Sequence, residues 1–298
     1  MMAISGNELV QQLVNALSLG AIFALFALGL AVVFSVMGLL NFAYGELVTV
    51  SGYAMMLVAR EGAPFWVMAL AGIAVAVLVS MAMELVAFRP LRGASPVVLL
   101  FTSFAVAVII QNLIRQLIST RPQGVSVPAI FQEAVAIGQV RIGVLPLVSA
   151  TIGFASLLAL SMFLRRTRGG LAMRAASQDF TVSRLMGVRA NRVISLAFAI
   201  SGALAGIAGV LWVSRRTSVA PTMGFQPVLI AFVANVIGGL GNLAGAVVGG
   251  FFLGFLDIWL EVFLPGAWRP FLDAIALTIV VGILYFRPQG LLGRAELA

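Results

Sequence analysis

Apolar windows of 18 or more residues recur along this chain from one end to the other. About 20 such residues carry a helix across a bilayer. Backbone inside lipid must satisfy its own hydrogen bonds, which leaves only helices or closed barrels. Barrel strands alternate apolar and polar residues, and stretches such as AGIAVAVLVSMAMELVAF (71–88) do not alternate. The chain therefore reads as an all-α polytopic membrane protein. Composition agrees: 62% of residues are hydrophobic and 9% charged, where a soluble domain carries roughly a quarter charged.

Helical spans are expected over about 9–37, 43–59, 64–88, 95–118, 144–164, 193–214, 226–238, 243–263 and 270–286. That is nine spans, or eight if one of the short segments is re-entrant. A polar loop with Pro122, Gly124 and Pro128 separates the fourth and fifth. The chain reads as one transmembrane domain over 1–298, with its most basic loop at about 165–192. That loop carries seven arginines and one aspartate. Placed in the cytoplasm, it puts eleven arginines inside and seven outside, as positive-inside bias expects. The N-terminus then lies outside and the C-terminus inside, with Arg215 and Arg216 on the unfavoured side. The first twelve residues hold no basic residue, so no cleavable signal peptide is expected.

The net charge of +8 is carried entirely by arginine and reads as membrane orientation rather than nucleic-acid binding. With no Cys and no His, thiol chemistry, disulfides and the usual zinc or haem ligands are excluded. A phosphate-binding loop of the G-x-x-x-x-G-K-[ST] type needs a lysine, and the chain has none. No catalytic constellation is present, so neither enzyme activity nor a resident cofactor or metal is expected.

The stretch GLLNFAYGELVTVSGY, beginning at Gly38, places polar and flexible residues inside membrane sequence. GLLNFA (38–43) and GLGNLA (239–244) share a G-L-x-N-x-A frame, and each joins an inward helix to an outward one. Transporters are often built from repeats with broken helices along the transport path, which singles out Asn41 and Asn242. Glu46 either faces the bundle interior or a water-filled cavity or caps a helix start at the interface. Glu84 is placed to pair with Arg89, and Asp257, Glu261 and Asp273 read as interfacial. Glycines in SGALAGIAGV (Gly202, Gly206, Gly209) and in GGLGNLAGAVVGG, six in 13 residues, chiefly serve close helix packing. The densest run also breaks a helix.

The basic loop reads as folded. Arg174, Ser177, Thr181 and Arg184 share one helical face, and Leu171, Ala175, Val182 and Met186 form an apolar side. Asp179 can start a second short helix as its N-cap, and Gly187 suits a left-handed stop. Such an element between two spans is a docking site for a cytoplasmic partner.

Four segments resemble the permease subunits of branched-chain amino acid ABC importers, nearer the H-type than the M-type permease. They are NFAYGE (41–46), RAASQDFTVSRLMGV (174–188), AFVANVIGGLGNLAGAVVGG (231–250) and FRPQGLLG (286–293). The resemblance runs over about residues 10–293. It implies a type II ABC importer permease-like bundle of about 8–9 transmembrane helices with broken or re-entrant segments, in a bacterial inner membrane. The implied partners are a second related permease (M-type), two cytoplasmic ATPase subunits that bind ATP and Mg, and a periplasmic solute-binding protein. The solute pathway would involve Asn41, Tyr44, Gly45, Glu46, Asn235, Gly239, Gly241 and Asn242. The ATPase would dock on Arg174, Ala175, Ser177, Asp179, Arg184, Leu185 and Gly187.

Two departures touch the solute. Tyr44 stands where the family commonly has His, and Asn235 where an apolar residue is usual. The family also imports urea, amides and small acids, so the solute is a branched-chain amino acid or a related small polar molecule. The rival class is an ion-coupled secondary transporter using Glu46 or Asp257 and needing no ATPase. It leaves the helical loop unexplained. A passive channel would need a selectivity ring, and none is identifiable.

Overall fold

α1 (Gly6–Met37) forms the axis of the molecule: 89% of its most apolar window is buried by other helices. The computed structural model describes residues 6–137 and 140–292. Gly293 and Arg294, the end of the tail motif, lie outside the described residues. Around α1 run α2 (Tyr44–Arg60), α3 (Phe65–Met83), α4 (Pro96–Leu117) and α5 (Val144–Arg166). They are followed by α6 (Arg168–Gln178), α7 (Phe180–Leu185), α8 (Ala190–Arg216), α9 (Phe225–Gly238), α10 (Leu243–Phe263) and α11 (Leu272–Phe286). α8 is the second inner helix, with 67% of its window buried. α3, α4 and α5 at 22%, and α11 at 11%, turn most of their surface outward. Their exposed side chains are large and apolar, among them Leu78, Phe101, Leu158 and Val281, as a lipid-facing layer requires.

Small residues let the inner helices touch. A Cβ on Gly250 of α10 would lie 2.4 Å from the backbone of Ala24 in α1. Hydroxyls knit the same layer: Ser201 donates to the Gly29 carbonyl at 2.7 Å and Ser80 to the Phe198 carbonyl at 2.6 Å. The packing role expected for the Gly202–Gly209 series is seen directly. Gly202 and Gly206 sit against α3 at Ala76 and Ile73, and Gly209 against Ser51 of α2.

Among the described residues, seven helices are long and apolar enough to cross a membrane. The two remaining membrane helices, α2 with 17 residues and α9 with 14, are shorter, and each is preceded by non-helical chain inside the bundle. After α1 the chain turns at Gly38 (φ 65°) and runs back along the helix it has just left. Leu40 and Asn41 lie beside Leu30, and Tyr44 packs on Gly29 and Leu25. Gly29 and Leu25 are eight and twelve residues before Met37. α2 therefore starts about 12–18 Å inside the bundle at 1.5 Å per residue. On the other side, the chain after α8 re-enters through Ser218–Val219, which bridges Gln123–Gly124, and through Met223 beside Gly52. α9 then begins at the same depth as α2. Both expected spans exist, each as a stretch of non-helical chain followed by a helix.

The linker between α4 and α5 was expected to be a polar loop. It instead carries a hairpin, Ala134–Ile137 against Val140–Gly143. Glu84 opens a π-helical turn, Glu84–Phe88. The expected pairing with Arg89 does not form: Glu84 pairs with Arg92 and accepts from Ser195 Oγ at 3.0 Å. The π turn closes the Arg89 N–H onto the Glu84 carbonyl, and the chain turn that follows carries Arg92 round to the carboxylate.

Candidate functional site

The N-termini of the two half-length helices meet near the middle of the bundle. A Cβ on Gly45, in the first turn of α2, would lie 2.2 Å from the carbonyl oxygen of Gly224, the residue that opens α9. The reciprocal distance, from Gly224 to the Gly45 carbonyl, is 2.1 Å. Only two glycines permit this approach. It brings two positive helix ends to one place inside a hydrocarbon layer about 30 Å thick.

Glu46 sits beside that junction and is 2% exposed, so the interfacial reading does not hold. Its Oε1 accepts from Gln111 Nε2 of α4 at 2.7 Å, and Oε2 is buried without a protein partner. Gln111 lies fifteen residues into α4, about 22 Å along the helix, well inside that span. Sequence reasoning passed over Gln111. The available signal was IIQNLIRQ (109–116), four polar residues inside an apolar span. Asn112, Arg115 and Gln116 of that run are exposed.

Asn41 is 1% exposed. Its Oδ1 accepts from the Ala43 N–H at 3.1 Å, while Nδ2 has no protein partner. It borders a void lined by Leu30, Phe42, Val228 and Phe232 that is too small for a water molecule. Tyr44 is fully buried, its hydroxyl pressed on Gly29 and donating weakly to the Leu25 carbonyl at 3.5 Å. Asn235 is buried on the same stretch of α1, where Nδ2 donates to the Ala27 carbonyl at 2.8 Å and to Ala231 at 2.7 Å. Asn41, Tyr44 and Asn235 thus gather around α1 residues 25–30, while the adjoining Gly45 and Glu46 meet the start of α9 and Gln111 of α4.

Gly239, Gly241 and Asn242 do not join them. They form a tight turn at the end of the bundle that carries α6 and α7. Gly239 and Gly241 have φ of 101° and 82°. Asn242 caps α10 by accepting from Ala244 and Gly245, and its Nδ2 donates to the Leu292 carbonyl at 2.8 Å. The chain after α11 folds back on this turn, with Leu291 N–H donating to the Ile237 carbonyl at 2.6 Å.

The expected docking segment is two helices rather than one continuous face. Thr167 caps α6, accepting from Gly170 at 3.0 Å, and Asp179 caps α7, accepting from Val182 at 2.9 Å. Asp179 is extended at φ −152°, so Arg174 and Ser177 are on a different helix from Arg184. Gly187 (φ 86°) ends the pair as expected. Gly170, Met173, Ala176 and Ser183 face the bundle. The apolar side points away from it: Leu185 is 83% exposed and Met186 81%, with Leu171 and Val182 also exposed. Arg174, Ser177, Asp179, Arg184 and Gly187 are exposed around this patch, and Ala175 is half-buried.

At the far end, Asp257 and Asp273 line a recess of about 140 Å³ with Gln226 and Phe23. There Arg216 lies over the Trp212 ring, 4.4 Å from its centroid, a cation–π contact that favours this position for one of the two arginines on the unfavoured side.

Residues 12–284 match the family described as branched-chain amino acid transport system / permease component. The chain is 30% identical over 303 residues to the high-affinity branched-chain amino acid transport system permease protein LivH of Escherichia coli K12, covering 96% of each chain. It is 32% identical over 302 residues to BraD of Pseudomonas aeruginosa, a permease protein of the same description, again covering 96% of each. A partial similarity, 34% over 159 residues, reaches the autoinducer 2 import system permease protein LsrC of an Enterobacter species, covering 51% of this chain and 43% of that one. The fold, with its two broken spans, and this end-to-end match agree: the chain belongs to the branched-chain amino acid transport system permease family.

Proposed function

We propose that this chain is one permease subunit of an ATP-driven importer. It would form half of the pathway for a branched-chain amino acid or a related small polar solute. The observation that carries this reading is the α6–α7 pair. It is a capped, two-helix element whose inner side is anchored to the bundle and whose outer side exposes Leu171, Val182, Leu185 and Met186. A surface of that kind fits a protein partner, and an energy-supplying subunit is what the chain itself lacks. Two ATPase subunits holding ATP and Mg would dock there. A second, related permease would supply the other wall of the pathway, and a periplasmic binding protein would deliver the solute. The N-terminus would lie outside and the C-terminus in the cytoplasm of a bacterial inner membrane.

In this reading the junction of α2 and α9 is the moving part of the pathway wall. Half-helix N-termini favour anionic groups such as a solute carboxylate. Gln111, which holds the buried Glu46, is half-buried and adjoins the polar edge of α4, where Asn112, Arg115 and Gln116 are exposed. ATP-driven closure of the ATPases would shift α6 and α7. Through α8, which packs on α1, α2 and α3, it would change the access of that edge from one side of the membrane to the other.

The test is uptake by the assembled transporter in proteoliposomes. Leu185→Asp with Met186→Asp is expected to abolish ATPase co-purification and ATP-dependent uptake while leaving the permease folded. Glu46→Gln is expected to keep the assembly and lower uptake at least tenfold. Uptake by the chain alone, driven by a proton or sodium gradient, would overturn the reading in favour of the ion-coupled class.

A further inference from the structure

Where α3 ends and α8 begins, a cleft of about 360 Å³ opens on the outer surface of the bundle. Arg89 and Arg192 line it together with Met81, Ser195, Leu196 and Ala199. Both arginines are exposed. Among the described residues, neither guanidinium has an ion pair, and no side-chain hydrogen bond is made by either. The carboxylate nearby is already engaged: Glu84 pairs with Arg92 and accepts from Ser195. Arg92 also donates to Asn191 Oδ1. The cleft therefore carries two uncompensated positive charges.

Its position is as informative as its charge. Arg89 directly follows the last helical turn of the third span, and Arg192 is the third residue of α8. Both stand at the rim of the apolar layer, at the end of the bundle that carries the basic segment. From the guanidiniums, the cleft continues along Met81, Leu196 and Ala199, beside exposed Leu78 and Leu85. A charged head with an apolar track running into the membrane layer is the shape of a phospholipid. Basic clefts between spans on the cytoplasmic side suit anionic headgroups, and guanidinium matches phosphate bidentately.

We infer that this cleft binds an anionic phospholipid, with Arg89 and Arg192 on its phosphate and one acyl chain along Met81, Leu196 and Ala199. The inference is independent of which solute is carried. The bound lipid would brace the root of α8, which starts three residues after Gly187 closes the α6–α7 element. It would act beside the Glu84–Arg92–Asn191 tie that joins α3 to α8.

The experiment is native mass spectrometry of the purified full chain, offered phosphatidylglycerol or phosphatidylcholine with matched acyl chains. Wild type is expected to retain one phosphatidylglycerol in preference to phosphatidylcholine. The Arg89→Ala/Arg192→Ala variant should retain it on the order of tenfold less. The Arg89→Lys/Arg192→Lys variant keeps the charge and should keep most of the retention, which separates loss of binding from loss of folding. Arg60→Ala/Arg121→Ala, at the other end of the bundle, should match wild type. Equal retention of the two lipids by wild type, or equal phosphatidylglycerol retention by the double-alanine variant, would overturn the inference. So would a photo-cross-linker at Met81 that captures a protein subunit rather than lipid in native membranes.

Discussion

GLLNFA and GLGNLA share a sequence frame and a local bond but not a depth. In both, the first glycine takes a positive φ, and the asparagine Oδ1 accepts the N–H two residues on, at 3.1 Å in one and 3.0 Å in the other. The second turn closes at once, so α10 starts where α9 stops. The first is longer, six non-helical residues against four, and α2 starts deep in the bundle. One position explains much of this. Gly241 takes φ 82°, whereas its counterpart Leu40 is absent from the positive-φ residues. A leucine there resists the tight turn, and the chain runs on along α1 before α2 begins. The same frame thus builds an end-of-bundle hinge in one place and a mid-membrane break in the other.

The largest expected effect tests the deep break. Gly45 corresponds in the frame to Ala246, which is fully buried and tolerates its methyl. Gly45→Leu drives a side chain into the Gly224 backbone and is expected to cost 3 kcal/mol or more. Gly45→Ala should also be strongly destabilising, since its Cβ meets that carbonyl at 2.2 Å. Ala246→Gly should cost only about 1 kcal/mol. Denaturant unfolding in detergent, followed by tryptophan fluorescence, measures all three. Equal costs for Gly45→Ala and Ala246→Gly would mean that α2 and α9 do not touch at their N-termini.

Hydropathy was enough to read the nine helical segments, because a span needs nothing more than an apolar run of the right length. The cap at Asp179 and the left-handed stop at Gly187 were legible for the same reason: each is set within four residues of chain. Asn242 was read as a pathway residue, and its role as the cap of α10 emerges only in the structure. Depth was not. Nothing local in NFAYGE says that Glu46 lies against Gln111, because that contact joins residues 65 apart and depends on where α1 turns back. Of the expected apolar side of the basic segment, Leu171, Val182 and Met186 share an exposed face, whereas Ala175 is half-buried and Leu185 belongs to that face instead. The direction of that face, outward, depends on the tertiary contacts of Met173 and Ala176. Asn235 was legible as unusual, but its two carbonyl partners on α1 and α9 come from helix packing that periodicity does not reveal.

The next effect sharpens the role of the second glycine. Gly241→Leu imposes a left-handed conformation on a side-chain-bearing residue, at roughly 1–2 kcal/mol. It should also loosen the chain after α11, whose Leu291 and Leu292 bond to Ile237, Gly238 and Asn242. Limited proteolysis should cut the variant near residue 290 faster than wild type. Leu40→Gly should cost about 1 kcal/mol through backbone entropy and leave that region as protected as before. Faster cutting in both variants would show that the two turns are not structurally independent.

The smallest effect separates the two asparagines. Asn242 caps α10 and Asn41 accepts the Ala43 N–H in the turn before α2, and losing either bond costs about 1 kcal/mol. Asn242→Ala also releases the Leu292 carbonyl, but that carbonyl is exposed, so water can replace the amide, and the cost should stay near 1 kcal/mol. Asn41→Ala loses the bond to Ala43 but also removes a buried amide nitrogen that has no protein partner. Such a group carries a desolvation cost of about 1–3 kcal/mol. The two terms oppose, and the net change should lie within about 1 kcal/mol of zero. A residue so placed is not explained by stability. If Asn41 instead serves the pathway, Asn41→Ala should lower uptake well beyond its effect on unfolding, whereas Asn242→Ala should change the two in step. Parallel loss of uptake and stability in both variants would assign Asn41 a purely structural role, as for Asn242, and leave Glu46 as the polar group of the deep break.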